Sequence, residues 1–226
     1  MENQHIPTRD FAEAVRTDCF LCYPNRLLLV HASNDGQVLA GLGPVVDGYC
    51  VISSRKHVQS SDLTLAQRTA YCGYVEEVRK LLSRKFGSCL ITEHGKLPVC
   101  FADETPDQHC FHPHFLAFPS APNIQLEAHN FFDSSQVFNE LSAAVEFGMS
   151  KPQYLLVSPS SSICEVFYDV SVLPRQVARA LVAEVLGKPG IADWRKHPNQ
   201  DGAESIAKNL RALLAENLSD AGTADK

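Results

Sequence analysis

Two histidines with one residue between them, His112 and His114, could do chemistry in the segment from Gln108 to Pro119. If Phe111 to Phe118 forms a strand, His112, His114 and Leu116 share one face, because strand side chains alternate with period two. The two imidazoles then lie roughly 7 Å apart on a rigid element. Such a pair suits either a metal ligand beside a nucleophile or an acid/base pair. The alternative is a buried strand with two structural histidines.

A second candidate for chemistry is the pair Cys19 and Cys22, which are separated by two residues. Five other cysteines sit in apolar segments, where a free thiol behaves as a small hydrophobe: Cys50, Cys72, Cys89, Cys110 and Cys164. We expect a cytoplasmic protein, and the cytoplasm is reducing. The Cys-x-x-Cys spacing therefore favours a metal or redox role over a structural disulfide.

Length and charge exclude several function classes. A chain of 226 residues fits one large domain, or a domain with a sizeable extension. The formal net charge of −6 argues against a partner that is a nucleic-acid polymer. No apolar run is as long as a membrane span, and residues 1–18 lack the apolar core of a signal peptide. We therefore expect a cytoplasmic protein without a membrane partner.

The elements that must position these residues indicate an α+β fold with an antiparallel sheet. Strands are predicted at Arg26 to Ala32, Gln37 to Leu42, Gly48 to Ser53 and Ser88 to Thr92. Thr64-Leu65-Ala66-Gln67 has the form of a capping box and predicts a helix that ends near Phe86.

Further elements are predicted beyond Pro122, and the sequence shows no internal repeat. We expect a strand at Ile124 to Ala128, a helix from Ser135 to Phe147, and a hairpin formed by Tyr154 to Val157 and Ile163 to Asp169. Two more helices are predicted at Pro174 to Leu186 and Ala203 to Ala215.

The segment around His112 and His114 resembles the signature of the histidine-triad (HIT) superfamily, and still more its His-Pro-His form in the hexose-1-phosphate uridylyltransferase branch. Other weak motifs follow the family's order between residues 18 and 120: Cys-x-x-Cys, a hairpin, a Gly-Pro bend, Arg-Lys-His, a helix and Glu-His-Gly. The resemblance implies a HIT-like antiparallel sheet with a long packed helix over residues 18–122. An α+β extension would cover residues 123–216, and residues 217–226 read as a disordered tail.

Residue roles are implied by the same resemblance. His114 takes the position of the nucleophile, which attacks the α-phosphate of a nucleotide, and Leu116 stands where the family has a third His or Gln. His109 could replace that missing donor as a general acid, or it could be an exposed loop histidine. Six further residues are implied as substrate contacts, although solvated helix charges are the alternative for the arginines: Gln108, Glu93, His94, Gln176, Arg179 and Arg195.

A structural zinc is also implied, because zinc-binding relatives recruit the equivalents of Cys19, Cys22, His57 and His112. Four protein ligands leave no open coordination position, so this ion would orient the histidine strand. The alternative is two buried thiols beside two unrelated histidines. Many family hydrolases grip the ribose with an acidic residue where this chain has Gly41, which implies an altered nucleoside grip.

The function expected from these residues is nucleotidyl hydrolysis or transfer, through a covalent nucleotidyl-histidine, at the α-phosphate of a small nucleotide conjugate. The alternative is a catalytically degenerate HIT module that is stabilised by zinc and binds a nucleotide or a protein. The sequence leaves a homodimer open, and it names neither the base nor the leaving group.

Overall fold

The computed structural model describes residues 19–57, 63–95, 112–170 and 176–218. The strands in these ranges are β1 (Leu29–Ala32), β2 (Gln37–Ala40), β3 (Cys50–Ser53), β4 (Cys89–Gly95), β5 (His114–Pro119), β6 (Ser134–Phe138), β7 (Tyr154–Ser160) and β8 (Ile163–Tyr168). The helices are α1 (Leu65–Phe86), α2 (Gln125–Ala128), α3 (Leu141–Met149), α4 (Val177–Val185) and α5 (Gln200–Leu218), with a 3₁₀ helix at Pro189–Ile191. No helix of the described ranges is long and apolar enough to cross a membrane.

The described strands form one sheet in the order β1-β2-β3-β5-β4-β7-β8-β6, and every neighbouring pair is antiparallel. Helices α1, α3 and α5 pack on one face of this sheet, called here the α1 face, which carries Phe115 and Ala117 of β5. Helices α2 and α4 pack on the other, the histidine face, which carries Leu116 and Phe118. The predicted α+β class, with an antiparallel sheet and one long packed helix, is confirmed.

Helix α1 begins at the predicted capping box. The Thr64 hydroxyl accepts from the Gln67 backbone N–H, and the Gln67 side chain accepts from the Thr64 N–H. Its apolar stripe, which includes Val75, Val78 and Leu82, is buried against the sheet. The buried Arg79 donates to Ser158 Oγ at 2.7 Å, so this helix also holds β7.

A topological repeat relates the two halves of the sheet, although no repeat is visible in the sequence. The succession β3-α1-β4-β5 recurs as β6-α3-β7-β8, since each unit is a strand, a helix and a hairpin-like pair. Within the sheet, the strands of each unit lie in the order β3-β5-β4 and β6-β8-β7, so the last strand of each unit in the chain lies between the other two. β4 and β7 are the two central strands of these six. The two central strands pair antiparallel through Ile91 to Gly95 and Tyr154 to Ser158. Both helices lie on the α1 face, so the units are related by a pseudo-twofold.

Two of the elements predicted beyond Pro122 are wrong. Residues 125–128 form a helical turn instead of a strand, because the Asn123 side chain accepts from the Gln125 N–H at 3.0 Å and starts the turn. Residues 134–138 form β6 instead of the start of a helix, because they pair with β8 from Ser134 to Phe138. Helix α3 starts later, at Leu141.

A buried carboxylate lies where β4 pairs with β7. Glu93 is 3% exposed on the α1 face, and the Tyr154 hydroxyl donates to its Oε2 at 2.8 Å. Removing this donor with Tyr154→Phe should lower the free energy of unfolding by about 1–3 kcal/mol, because a buried carboxylate loses a hydrogen bond. Urea unfolding followed by circular dichroism measures the change.

Tyr168→Phe is the matched control, because Tyr168 faces Tyr154 across the β7–β8 ladder and its ring is packed under the Lys151 ammonium. This control should change the unfolding free energy by less than about 0.5 kcal/mol. Equal losses in the two variants would mean that the Tyr154 hydroxyl does not stabilise the Glu93 carboxylate.

Candidate active site and metal centre

Four predicted metal ligands converge at one end of the sheet. The ligand atoms of Cys19, Cys22, His57 and His112 all lie within 4.8 Å of one another. His112 Nδ1 is 3.5 Å from Cys19 Sγ and 3.7 Å from Cys22 Sγ, and His57 Nδ1 is 3.2 Å from Cys22 Sγ. Both cysteines are free thiols, so no disulfide joins them.

These distances fit a tetrahedral zinc ion. With Zn–S near 2.3 Å and Zn–N near 2.0–2.1 Å, neighbouring sulfur and nitrogen ligands of a tetrahedron are roughly 3.6 Å apart. The remaining ring nitrogen of His112, Nε2, donates to the Ser54 carbonyl at 2.8 Å, which directs the lone pair of Nδ1 toward the thiols. This outer hydrogen bond is typical of metal-bound histidine. A Cys₂His₂ site can therefore hold a metal ion here.

Local backbone contacts bring the ligands together. The N–H groups of Cys22 and Tyr23 both donate to the Cys19 carbonyl at 3.0 Å, which folds the Cys-x-x-Cys loop into a tight turn. The Ser54 N–H donates to the Pro113 carbonyl at 3.0 Å and extends the β3–β5 ladder toward His112. The corner after β3 then carries His57 to the same end of the sheet.

His114 begins β5 on the histidine face. Its Nδ1 lies 2.8 Å from the backbone carbonyl oxygen of His112, and only an Nδ1–H can donate to that acceptor. The tautomer is thereby set, and Nε2 keeps its lone pair. Burial lowers the pKa of His114, although its hydrogen bond to the His112 carbonyl opposes the shift. The ring is consequently neutral at pH 7, as a nucleophile must be.

His94 lies beside His114 on the next strand. The β4–β5 register pairs Thr92 with Leu116, which brings His94 opposite His114 on the histidine face. The two ring centroids are 5.2 Å apart with planes at 88°. Burial, and to a smaller extent the neighbouring His114, lowers the pKa of His94 to about 3. His94 Nδ1 is buried and has no hydrogen-bond partner among the described residues.

A cavity of about 310 Å³ opens beside both imidazoles. Leu116 lines it and contributes an apolar wall, at the position where the HIT resemblance led us to expect a third polar side chain. Gly41 lines it as well, and a Cβ at this position would lie 2.0 Å from Cε1 of Tyr49. The Tyr49 ring is stacked on Phe118 at 5.0 Å between centroids and occupies the space that a larger residue 41 would need. An acidic side chain at position 41 is incompatible with this packing.

The C-terminal extension completes the cavity with Gln176, Arg179, Trp194 and Gln200. Arg179 is 2% exposed, and its guanidinium donates to four backbone carbonyls, those of residues 42, 43, 191 and 192. The Gln176 amide donates to Asp193 Oδ1 at 3.1 Å. Arg179 thus ties residues 191 and 192 to the Gly43 bend through carbonyl contacts that occupy four of its five N–H groups.

The structure does not bring every predicted contact residue to the cavity. Glu93 points to the α1 face, because it is adjacent in the strand to His94, whose side chain points to the opposite face. Arg195 pairs with Asp193 at 3.3 Å and is not part of the cavity wall. Gln108 and His109 lie outside the described residues. Sequence reasoning missed Phe20 as a wall residue, although its place between two metal ligands was a usable signal.

No family model and no curated protein sequence matches the chain. Among solved structures, it is similar to yeast Ap4A phosphorylase in complex with AMP, with a TM-score of 0.40 and 12% identity over 65% of this chain and 62% of that one. It is also similar to a DUF4931 family protein from Bacillus cereus, with a TM-score of 0.44 and 10% identity over 82% of this chain and 99% of that one. The chain therefore spans less than two thirds of the yeast protein. Both TM-scores lie below 0.5, so the function has to follow from this chain's own side chains.

The metal centre generates a direct prediction. Cys22→Ala and His112→Ala should each weaken zinc binding by more than about 100-fold, because losing only a hydrogen-bond partner of a ligand already costs about 10- to 100-fold. Zinc content is measured by mass spectrometry after dialysis against a zinc buffer. Cys164→Ala, which removes a thiol from the core of β8, is the control and should keep the metal. Full zinc content in both ligand variants would contradict the assignment.

Proposed function

We propose that this chain is a HIT-type nucleotidyl hydrolase or transferase that acts at the α-phosphate of a nucleotide conjugate. The observation that supports this most directly is the contact of 2.8 Å between His114 Nδ1 and the His112 carbonyl, which leaves Nε2 with a lone pair on a residue that lines the cavity. A neutral imidazole nitrogen is a competent nucleophile toward phosphorus when it is held in position.

The proposed reaction has two displacements. His114 Nε2 attacks the α-phosphorus, and the bond from phosphorus to the leaving group breaks with its electron pair, so that the leaving group departs and takes up a proton. Water or another acceptor then attacks the phosphorus and gives up a proton. The P–Nε2 bond breaks, and neutral His114 is regenerated together with the nucleoside monophosphate or its transfer product.

The negative charge that develops on the phosphoryl oxygens needs donors, which Leu116 cannot provide. His94 is the described residue best placed for this role, since its ring is 5.2 Å from that of His114 and its low pKa keeps it a neutral donor rather than an imidazolium. His109, predicted as the general acid on the leaving-group side, is a second candidate donor. The two roles do not exclude each other.

The metal set Cys19, Cys22, His57 and His112 would hold a structural zinc in this proposal. The ion would fix the orientation of the strand that carries His114, and it would contribute no open coordination position to the reaction.

A second candidate function is a degenerate module that keeps the metal and binds a nucleotide or a protein without chemistry. Two observations favour it. Leu116 presents an apolar wall where a third polar side chain is expected, and Arg179 donates to backbone carbonyls instead of to the cavity. Only the enzyme forms an acid-labile, base-stable nucleotidyl adduct, so trapping that adduct separates the two functions.

His114→Ala tests the proposal. Wild-type protein should release a nucleoside monophosphate from at least one member of a panel of nucleoside phosphoramidates, dinucleoside polyphosphates and nucleoside diphosphate sugars. His114→Ala should lower that rate by about 10⁴-fold or more while zinc content and unfolding midpoint stay unchanged, because it removes the nucleophile and no metal ligand. Unchanged turnover in this variant would contradict the mechanism.

The donor role is tested by His94→Ala and His94→Asn. Loss of one donor to the developing charge should lower kcat by about 10²–10³-fold in His94→Ala. Asparagine keeps a neutral N–H donor, so His94→Asn should recover part of that loss. His109→Ala should slow the reaction by about 10²–10⁴-fold if His109 is the general acid. Equal kcat in wild type and His94→Ala would contradict the proposal that His94 donates to the phosphoryl oxygens.

A further inference from the structure

The loop that carries two metal ligands also forms part of the cavity wall. Phe20 lies between Cys19 and Cys22, lines the cavity, and is 48% exposed. The next residue, Leu21, is fully buried in the core of the histidine face. Phe20 therefore lies between a candidate metal ligand, Cys19, and a residue anchored in the core, Leu21.

Trp194 contributes a second aromatic ring to the same cavity. It is packed closely against the bend at Gly43, where a Cβ would lie 3.0 Å from the Trp194 Cβ and where φ is +59°. Its backbone N–H is 3.5 Å from Gln176 Oε1. The position of Trp194 is thus determined by its contact with the bend at Gly43.

The cavity is suited to a flat, uncharged ring. Its other walls are largely aliphatic and include Leu28, Leu39, Leu42 and Val51. No Asp, Glu or Lys lines it within the part of the chain that the structure describes, and Arg179 is engaged with backbone carbonyls. Its volume of about 310 Å³ is at the lower end of the range for small-molecule pockets. Aromatic walls bind heteroaromatic rings through stacking and apolar contact.

We propose that Phe20 and Trp194 hold the base of the nucleotide in this cavity, and that the metal ion at Cys19, Cys22, His57 and His112 fixes Phe20 there. Metal occupancy then sets the affinity for the nucleotide as well as the stability of the fold. The identification of the ring as a base rests on the proposed function. The dependence of ring binding on the metal rests on the position of Phe20 within the Cys-x-x-Cys turn.

The physical link is the cost of ordering. A metal ion joins the loop at 19–22 to His57 and to His112 at the start of the histidine strand. Without the ion, these four side chains are not joined to one another. Binding of the base then has to fix the position of Phe20 at the same time. That ordering cost reduces the affinity without any change in the contacts of the final complex.

Trp194 is the only tryptophan of the chain, so its fluorescence reports on this cavity. Zinc-loaded protein is titrated with AMP, GMP, CMP and UMP, and at least one of them should change the Trp194 emission saturably. Phe20→Ala should weaken that binding by about tenfold or more, as loss of a stacked aromatic side chain does. Tyr23→Ala is the matched control, because Tyr23 follows the same turn, is 52% exposed and lies outside the cavity wall.

Zinc removal by a chelator provides the second arm, with the fold checked by circular dichroism. Chelation should weaken nucleotide binding in wild type and weaken it less in Phe20→Ala, because the metal acts through that ring. If Phe20→Ala loses its zinc, the titration with monophosphates is repeated with Phe20→Leu. This variant keeps an apolar side chain at the position but removes the aromatic ring. If chelation unfolds the chain, His57→Ala replaces chelation as the means of weakening metal binding, and equal weakening of nucleotide binding by His57→Ala with and without Phe20→Ala overturns the proposal.

Three results would overturn the proposal: binding of none of the four monophosphates, wild-type affinity in zinc-loaded Phe20→Ala, or equal weakening by chelation in wild type and Phe20→Ala. Monophosphate binding requires no turnover, so its outcome is separate from that of the proposed reaction. If nucleotide binding depends on Phe20 but no nucleotidyl adduct forms, the binding proposal is supported and the proposed reaction is contradicted. If an adduct forms and Phe20→Ala binds the monophosphate with wild-type affinity, the proposed reaction is supported and the binding proposal is contradicted.

Discussion

The hydrogen bond from His114 Nδ1–H to the His112 carbonyl is the contact on which the chemistry of this site depends. It sets the tautomer that leaves Nε2 able to attack phosphorus. The same residue, His112, places its own Nδ1 near both thiols and donates from Nε2 to Ser54. One residue therefore connects the candidate metal set, the end of β3 and the proposed nucleophile.

The continuous sheet makes this arrangement rigid. β5 is an inner strand with β3 on one side and β4 on the other, so the backbone that carries the histidines is held on both sides. β7 pairs with β4 along five consecutive residues and supports the strand that carries His94. The second unit of the pseudo-repeat thus stabilises the first, and the segment after it supplies Arg179 and Trp194 to the cavity.

Some of this site follows from the sequence because it depends on residue type and chain order. The resemblance to zinc-binding HIT proteins implied that Cys19, Cys22, His57 and His112 form one set, and they do lie together. The period of two correctly places His114 and Leu116 on one face. His112 was predicted on that face as well, but β5 begins at His114, so His112 precedes the strand. Arg179 was predicted to contact substrate, but its buried guanidinium satisfies backbone carbonyls from two distant parts of the chain, and no local pattern indicates that. The proximity of His94 to His114 depends on strand register, which a single sequence does not contain.

The errors have similar causes. Glu93 and His94 were assigned to the same role, yet β4 continues to Gly95, so the two adjacent residues point to opposite faces. Residues 134–138 have no strong strand pattern of their own and become β6 only because β8 offers an edge to pair with. The pseudo-repeat was not found because its units share connectivity and not residues. In β6, tertiary pairing outweighs local propensity.

The linkage position of the trapped nucleotidyl group tests the central claim most directly. Protein labelled with ¹⁵N-histidine is quenched in alkali after brief reaction with a substrate, and the phosphorus–nitrogen coupling in the isolated adduct identifies the bonded atom. The contact between His114 Nδ1–H and the His112 carbonyl predicts that phosphorus is bonded to Nε2 of His114. Phosphorus on Nδ1, or on any residue other than His114, would contradict the account.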